Sequence, residues 1–237
     1  MQRSIFAIAL AIACVAAVPA WGQMDEMDEV VVTGARISGD DYSGIPAIVL
    51  RRRADFLVQR VLLTNDTRAG DARIRELQQT IRDMVSDAAK KPGIALSYGE
   101  EFLIPISTNA TEVVLFPGGK RPDTTCASIF VKMALGEKDD VTAAISSLKA
   151  FIKKARISGR TEIELAGDVG LSLVKPEKYR YEIISKITAD AKKLKEAVDA
   201  KCRIQLSGLA NRVSWQRSDV SELTLYIPYQ IQLGECE

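Results

Sequence analysis

"ADFLVQRVLLTNDTRAGDARIRELQQTIRDMVSDAAKKPGIALSY", residues 54–98, sets the architecture. In its first part Leu57, Gln59, Val61 and Leu63 alternate with Phe56, Val58, Arg60 and Leu62. Both sets are largely apolar, which predicts a strand inside a sheet with both faces at least partly covered. The spacing then changes. Ile74, Leu77, Ile81, Met84, Val85 and Ala88 fall on one stripe of a helix with charges opposite. Asn65-Asp66-Thr67 offers side chains that can cap that helix, and Pro92-Gly93 stops it. "IALSYGEEFLIPIS", residues 94–107, reads as a strand with an irregularity near Gly99. Together these segments make a first β-α-β unit.

The same alternation continues outward. Upstream, "IPAIVLRRR" (45–53) is a further strand, or the first half of one long bent strand. Downstream, "CASIFVKMAL" (126–135) is a strand, and Asp139 or Asp140 is placed to cap the next helix. Val141, Ala144, Ile145, Leu148, Phe151, Ile152 and Ala155 form its apolar stripe. "TEIELAGDVGLSLV" (161–174) reads as two strands around the Gly-Asp-Val-Gly turn, or as one strand with a bulge there. Pro176 suits the first turn of a third helix, with Ile183, Ile187, Ala191, Leu194 and Val198 buried. "SELTLYIPYQIQL" (221–233) alternates to its end, and Pro228 predicts an edge position or a bulge. The expected fold class is α+β, built of β-α-β units with helices packed on one face of a mixed or antiparallel sheet.

The chain has 237 residues, 47% of them hydrophobic, enough for a substantial core. Residues 1–22 read as a signal peptide: Arg3, the apolar run "IFAIALAIACVAAV", then small residues with cleavage after Ala20 or Gly22. Residues 23–45 read as a flexible acidic tail with one β-prone patch, and residues 46–237 as the folded domain. Export to the periplasm of a Gram-negative envelope is expected, with the inner face of the outer membrane as a further location. No later run has the length of a transmembrane helix. Without residues 1–22, which contain Arg3, 31 basic side chains face 31 acidic ones. Such a balance gives no bulk attraction to nucleic acid. The odd count of Cys126, Cys202 and Cys236 leaves one pair and one thiol, or three buried thiols; the candidate pair is Cys202 with Cys236, and Cys126 is expected as a buried thiol.

The chain has no histidine. That removes His-based catalytic triads and His-metal sites, and three scattered thiols cannot build a four-thiolate zinc site. No catalytic residue, metal or cofactor is expected. The pairs Glu100-Glu101 and Asp139-Asp140 read as turns and caps. "GGKRPD" (118–123) lacks the full phosphate-loop spacing. Arg51, Arg52 and Arg53 are expected to solvate a sheet edge or pair with acids, and Trp215, Tyr226 and Tyr229 to pack.

The strand-helix order, on "IPAIVLRRRADFLVQRVLLTNDTRAGDARIRELQQTI", "KPGIALSYGEEFLIPIS", "YEIISKITADAKKLKEAV" and "LTLYIPYQIQL", resembles the SIMPL-domain family of periplasmic oxidative-stress defence proteins over about residues 45–233. The resemblance implies an envelope location and ring-like homo-oligomers, and no particular reaction. "DEVVVTGARIS" (28–38) resembles the TonB box of TonB-dependent receptors, although the chain is too short for a receptor's plug and barrel. That resemblance implies strand addition of Glu29, Val30, Val31, Val32, Thr33 and Gly34 to the TonB C-terminal domain or a receptor system. Equally, the segment could dock on this chain's own sheet or on a neighbouring subunit. The expected function is a non-enzymatic envelope binding or assembly module. The alternatives are a structural homo-oligomer with a swapped N-terminal strand and a carboxylate- or thiol-dependent envelope enzyme.

Overall fold

The computed structural model describes residues 29–32, 44–100, 102–118, 123–198 and 201–234. Residues 1–22, expected to be a signal peptide, lie outside these residues, as do Thr33, Gly34, Cys236 and most of "GGKRPD".

The long alternating segments become the centre of a seven-stranded sheet. Its strands, in chain order, are β1 (Glu29–Val32), β3 (Phe56–Asn65), β4 (Ile94–Tyr98), β5 (Ile104–Pro105), β6 (Leu115–Pro117), β7 (Thr125–Ala134) and β8 (Thr161–Val174); β2 (Leu50–Arg53) belongs to another sheet. The spatial order is β1-β8-β3-β7-β4-β5, with β6 also on β7, and every ladder is antiparallel. Helix α1 (Gly70–Ala89) joins β3 to β4, and α2 (Val141–Lys153) joins β7 to β8. Each β-α-β unit therefore leaves a gap that a strand of the other unit fills. This is the split β-α-β-β-α-β arrangement, in an α+β fold.

The helices cover one face. Leu57, Val61 and Leu63 of β3 pack in one cluster with Leu77, Ile81 and Met84 of α1 and Leu148, Phe151 and Ile152 of α2. Gln59 lies on the same face at 1% exposure. It is tolerated because β8 is one strand with a bulge. The register between β3 and β8 shifts between Val58 and Arg60, and Gly167 takes φ +68°. The bulge leaves carbonyls turned off the ladder, and Gln59 Nε2 donates to those of Ala166 and Gly167 at 3.2 and 3.3 Å.

The remaining elements build a second, smaller layer. A 3-10 turn at Pro176–Tyr179 leads into α3 (Arg180–Val198), followed by β9 (Ile204–Ser207), β10 (Ser214–Arg217), β11 (Glu222–Tyr226) and β12 (Gln230–Leu233). The sheet β10-β11-β2 places Leu50, Leu223 and Leu225 against Ile183 and Ile187 of α3, in the same core cluster as the main sheet. Trp215 and Tyr229 pack against that cluster. Arg52 pairs with Glu182 at 2.7 Å, and Arg53 donates to the Asp139 carbonyl at 2.7 Å.

Several local expectations are corrected. Ile74 is 41% exposed and stands apart from the residues of α1 that are buried, Leu77, Thr80, Ile81, Met84 and Ala88. The N-cap of α1 is Ala69, with no side-chain cap; Asn65 instead accepts from the Thr67 amide at 2.8 Å, closing the turn before the helix. Val198 and Leu233 are exposed. "SELTLYIPYQIQL" is two strands in two sheets, with Pro228 at the break. Asp140 caps α2 as expected, accepting from the Thr142 and Ala143 amides at 2.8 and 3.2 Å. Within residues 23–45, expected to be flexible, Glu29–Val32 is a paired strand.

Acid should weaken the ties between the helices and their loops. Arg156 makes two hydrogen bonds to the Asp87 carboxylate, at 2.8 and 3.0 Å, and Lys90 adds one at 3.0 Å. Arg156 first, then Lys90, pull the Asp87 carboxyl down from 3.8 to about 2. Hydrogen bonds from Asn65 and Thr67, then from the Arg160 amide, likewise lower the Glu76 carboxyl. A carboxyl lowered by folding binds fewer protons in the native state than in the unfolded one. Its contribution is present above the unfolded value and lost as pH falls through the folded one. Urea midpoints should thus fall between pH 3.8 and about 2, and Asp87→Asn should flatten that limb. An unchanged slope in the variant would contradict this.

Candidate functional site

The sheet face away from the helices carries the candidate site. Phe56, Val58, Arg60, Leu62 and Thr64 of β3 stand there, opposite Ala134, Lys132, Phe130, Ser128 and Cys126 of β7. On the other flank they meet β8, with Ser172 opposite Phe56, Glu164 opposite Leu62 and Glu162 opposite Thr64. This face divides into a covered half and an open half.

The covered half is closed by β1. Its backbone pairs with the outer edge of β8 over four residues, Glu29 with Val174, Val30 with Leu173, Val31 with Ser172 and Val32 with Leu171. Strand period two puts Glu29 and Val31 on the face of Ser172. The Glu29 carboxylate reaches inward across β8 and β3. It accepts from the Ser172 hydroxyl and forms an ion pair with the Lys132 ammonium. Glu29 is 9% exposed and Lys132 5%. The ammonium also lies 4.1 Å from the centre of the Phe56 ring.

Val31 joins Phe56 against a small apolar cluster of Val58, Leu103 and Phe130. Leu103 arrives from the turn after β4, and its amide donates to the Glu29 carbonyl at 3.4 Å. Charge, apolar contact and backbone pairing thus converge on one four-residue segment. An ion pair at this depth gains from the low local dielectric but requires both partners, because either one alone would be a buried uncompensated charge.

The open half holds a cavity of about 530 Å³. Leu62, Phe116 and Cys126 form its apolar side, and Glu162, Glu164 and Arg160 its charged rim. The cavity has room for a small amphipathic molecule. Cys126, the expected buried thiol, is 5% exposed, and its sulfur meets the neutral Thr64 hydroxyl at 3.5 Å. Among the described residues no group of acidic and cysteine side chains has the arrangement to hold a metal ion.

The sequence-marked residues are therefore distributed as follows. Glu29 and Val31 contact the sheet face, while Val30 and Val32 extend the strand ladder. Cys202 is buried and disulfide-bonded. Lys132 and Ser172 were not anticipated. The available signal was a single lysine inside "CASIFVKMAL", an otherwise apolar strand where a charge needs a partner.

No protein-family model matches the chain, and no curated protein matches it in sequence. Fold and site together define a class: an α+β protein of split β-α-β topology whose N-terminal segment is docked as an edge strand. Among the described residues no helix is long and apolar enough to cross a membrane.

Proposed function

We propose that this chain is a non-enzymatic, exported envelope protein that acts as a binding or assembly module of SIMPL-like type, coupled to TonB or a TonB-dependent receptor system through residues 28–36. The observation that supports the reading is the behaviour of Glu29–Val32. The segment adds to a sheet edge by antiparallel pairing, which is the chemistry a TonB-box-like strand needs. Docking on β8 adds a condition. The segment can serve a partner only in molecules where it has left its own sheet, so the apparent affinity falls by the fraction released.

A titration distinguishes these states. A peptide of residues 23–40 is expected to bind the TonB C-terminal domain saturably, followed by chemical-shift changes. The intact mature chain should bind more weakly by at least about tenfold, or ~1.4 kcal/mol. Absence of saturable peptide binding at high micromolar concentration removes the coupling. Equal affinity of peptide and intact chain removes the competition by self-docking.

A further inference from the structure

We propose that the outer edge of β8, with Lys132 and Ser172 behind it, is an acceptor site for an extended acidic peptide, and that a second copy of this chain supplies that peptide through its own Glu29–Val32. The acceptor is built wholly from residues of β3, β7, β8 and the turn at Leu103. The occupant comes from elsewhere in the chain. Residues 33–43 separate it from residue 44, and eleven residues of chain reach at most roughly 40 Å. Acceptor and ligand are therefore joined by a tether and can pair within one copy or between two.

Three features give the site its selectivity. The Lys132 ammonium sits on a central strand at 5% exposure. Its contacts among the described residues are the Glu29 carboxylate and the Phe56 ring. Removing the strand takes away the one carboxylate that meets this cation among the described residues, so the vacated site favours another carboxylate. The Ser172 hydroxyl fixes the orientation of that carboxylate. Two residues further on, the cluster of Val58, Leu103 and Phe130 receives an aliphatic side chain. The pattern read is Glu, any residue, aliphatic, in an extended backbone.

The favoured occupant follows from the chain itself. Glu29-Val30-Val31 satisfies the pattern in register, so every copy carries one ligand and one acceptor. Exchange between copies replaces each contact by an identical one, and its remaining cost is that of association. This inference goes beyond the TonB reading. It concerns the edge the segment vacates, and it stands if TonB does not bind.

The test uses the full mature chain carrying E29K and V31D, which expel its own strand. A fluorescent peptide of residues 25–36 serves as the probe for the second copy's segment. Saturable binding by anisotropy is expected. Glu29→Gln in the peptide, or Lys132→Gln added to the chain, should each weaken it at least about tenfold, as truncation of a buried charge pair does. No saturable binding up to about 1 mM, with circular dichroism showing a folded acceptor, overturns the site. Binding of the Glu29→Gln peptide within about twofold of the original overturns the carboxylate reading. Should the double variant not fold, the intact chain decides. Isotopically light and heavy copies are mixed and weighed by native mass spectrometry. Mixed dimers that disappear in Lys132→Gln support the proposal, whereas mixed dimers that persist in it, or none with the native chain, overturn it.

Discussion

Replacing Leu63 by alanine is expected to destabilise the protein by about 2–5 kcal/mol, the range for a large-to-small change in a closed core. Leu63 is fully buried on β3, between Ala127 of β7 and Ile163 of β8. The α1 and α2 side chains above it are held by their own helices and can collapse into the void only partly. For a domain of this size the melting temperature should fall by roughly 5–15 °C. The adjacent residue is the control. Leu62 points to the other face and lines the open cavity, so Leu62→Ala removes a side chain that solvent already reaches. Its cost should be well under half as large. Denaturant melts of both variants measure the sidedness of β3, and equal losses would refute it.

Gly99→Ala is expected to strain the fold by about 1–3 kcal/mol and, in addition, to loosen β1. Gly99 takes φ +123°, a conformation that side-chain-bearing residues rarely adopt. A Cβ there would lie 2.0 Å from the Phe102 carbonyl oxygen, so the backbone itself must move. That turn carries Leu103, whose amide meets the Glu29 carbonyl and whose side chain fills the cluster beside Val31. The expected result has two parts, a lower denaturant midpoint and faster amide exchange at residues 30–32. A loss of stability with unchanged exchange there would separate Leu103 from the docking of the strand.

Much of this architecture was readable from side-chain periodicity. Alternation at Leu57–Leu63 and the stripes at Leu77–Ala88 and Leu148–Ile152 require one partner each, the core, and local spacing reports it directly. The bulge at Gly167 was readable as one of two alternatives, since a Gly-Asp-Val-Gly sequence suits either a turn or a bulge. The choice depended on whether β3 was long enough to pair with both halves of β8. Ile74 fits the stripe and is exposed all the same, because periodicity states which side of a helix a residue takes and not whether another element covers it there. "SELTLYIPYQIQL" keeps one alternation across two sheets for the same reason.

The candidate site was half legible. Three successive valines after an acid marked Glu29–Val32 as a strand that needs a sheet, and β-branched side chains make that preference local. Nothing local names the sheet. Lys132 lies far from Glu29 in sequence, and the strand reaches it only because β8 and β3 fold between them in antiparallel register. Class of fold, helix faces and the strand character of the N-terminal segment thus belong to the sequence, since each arises from neighbours within a few residues. The choice of the β8 edge, and the pairing of Glu29 with Lys132, belong to the tertiary structure. Burial of an ion pair depends on which distant strands become adjacent, and only the assembled sheet brings the two charges out of water together.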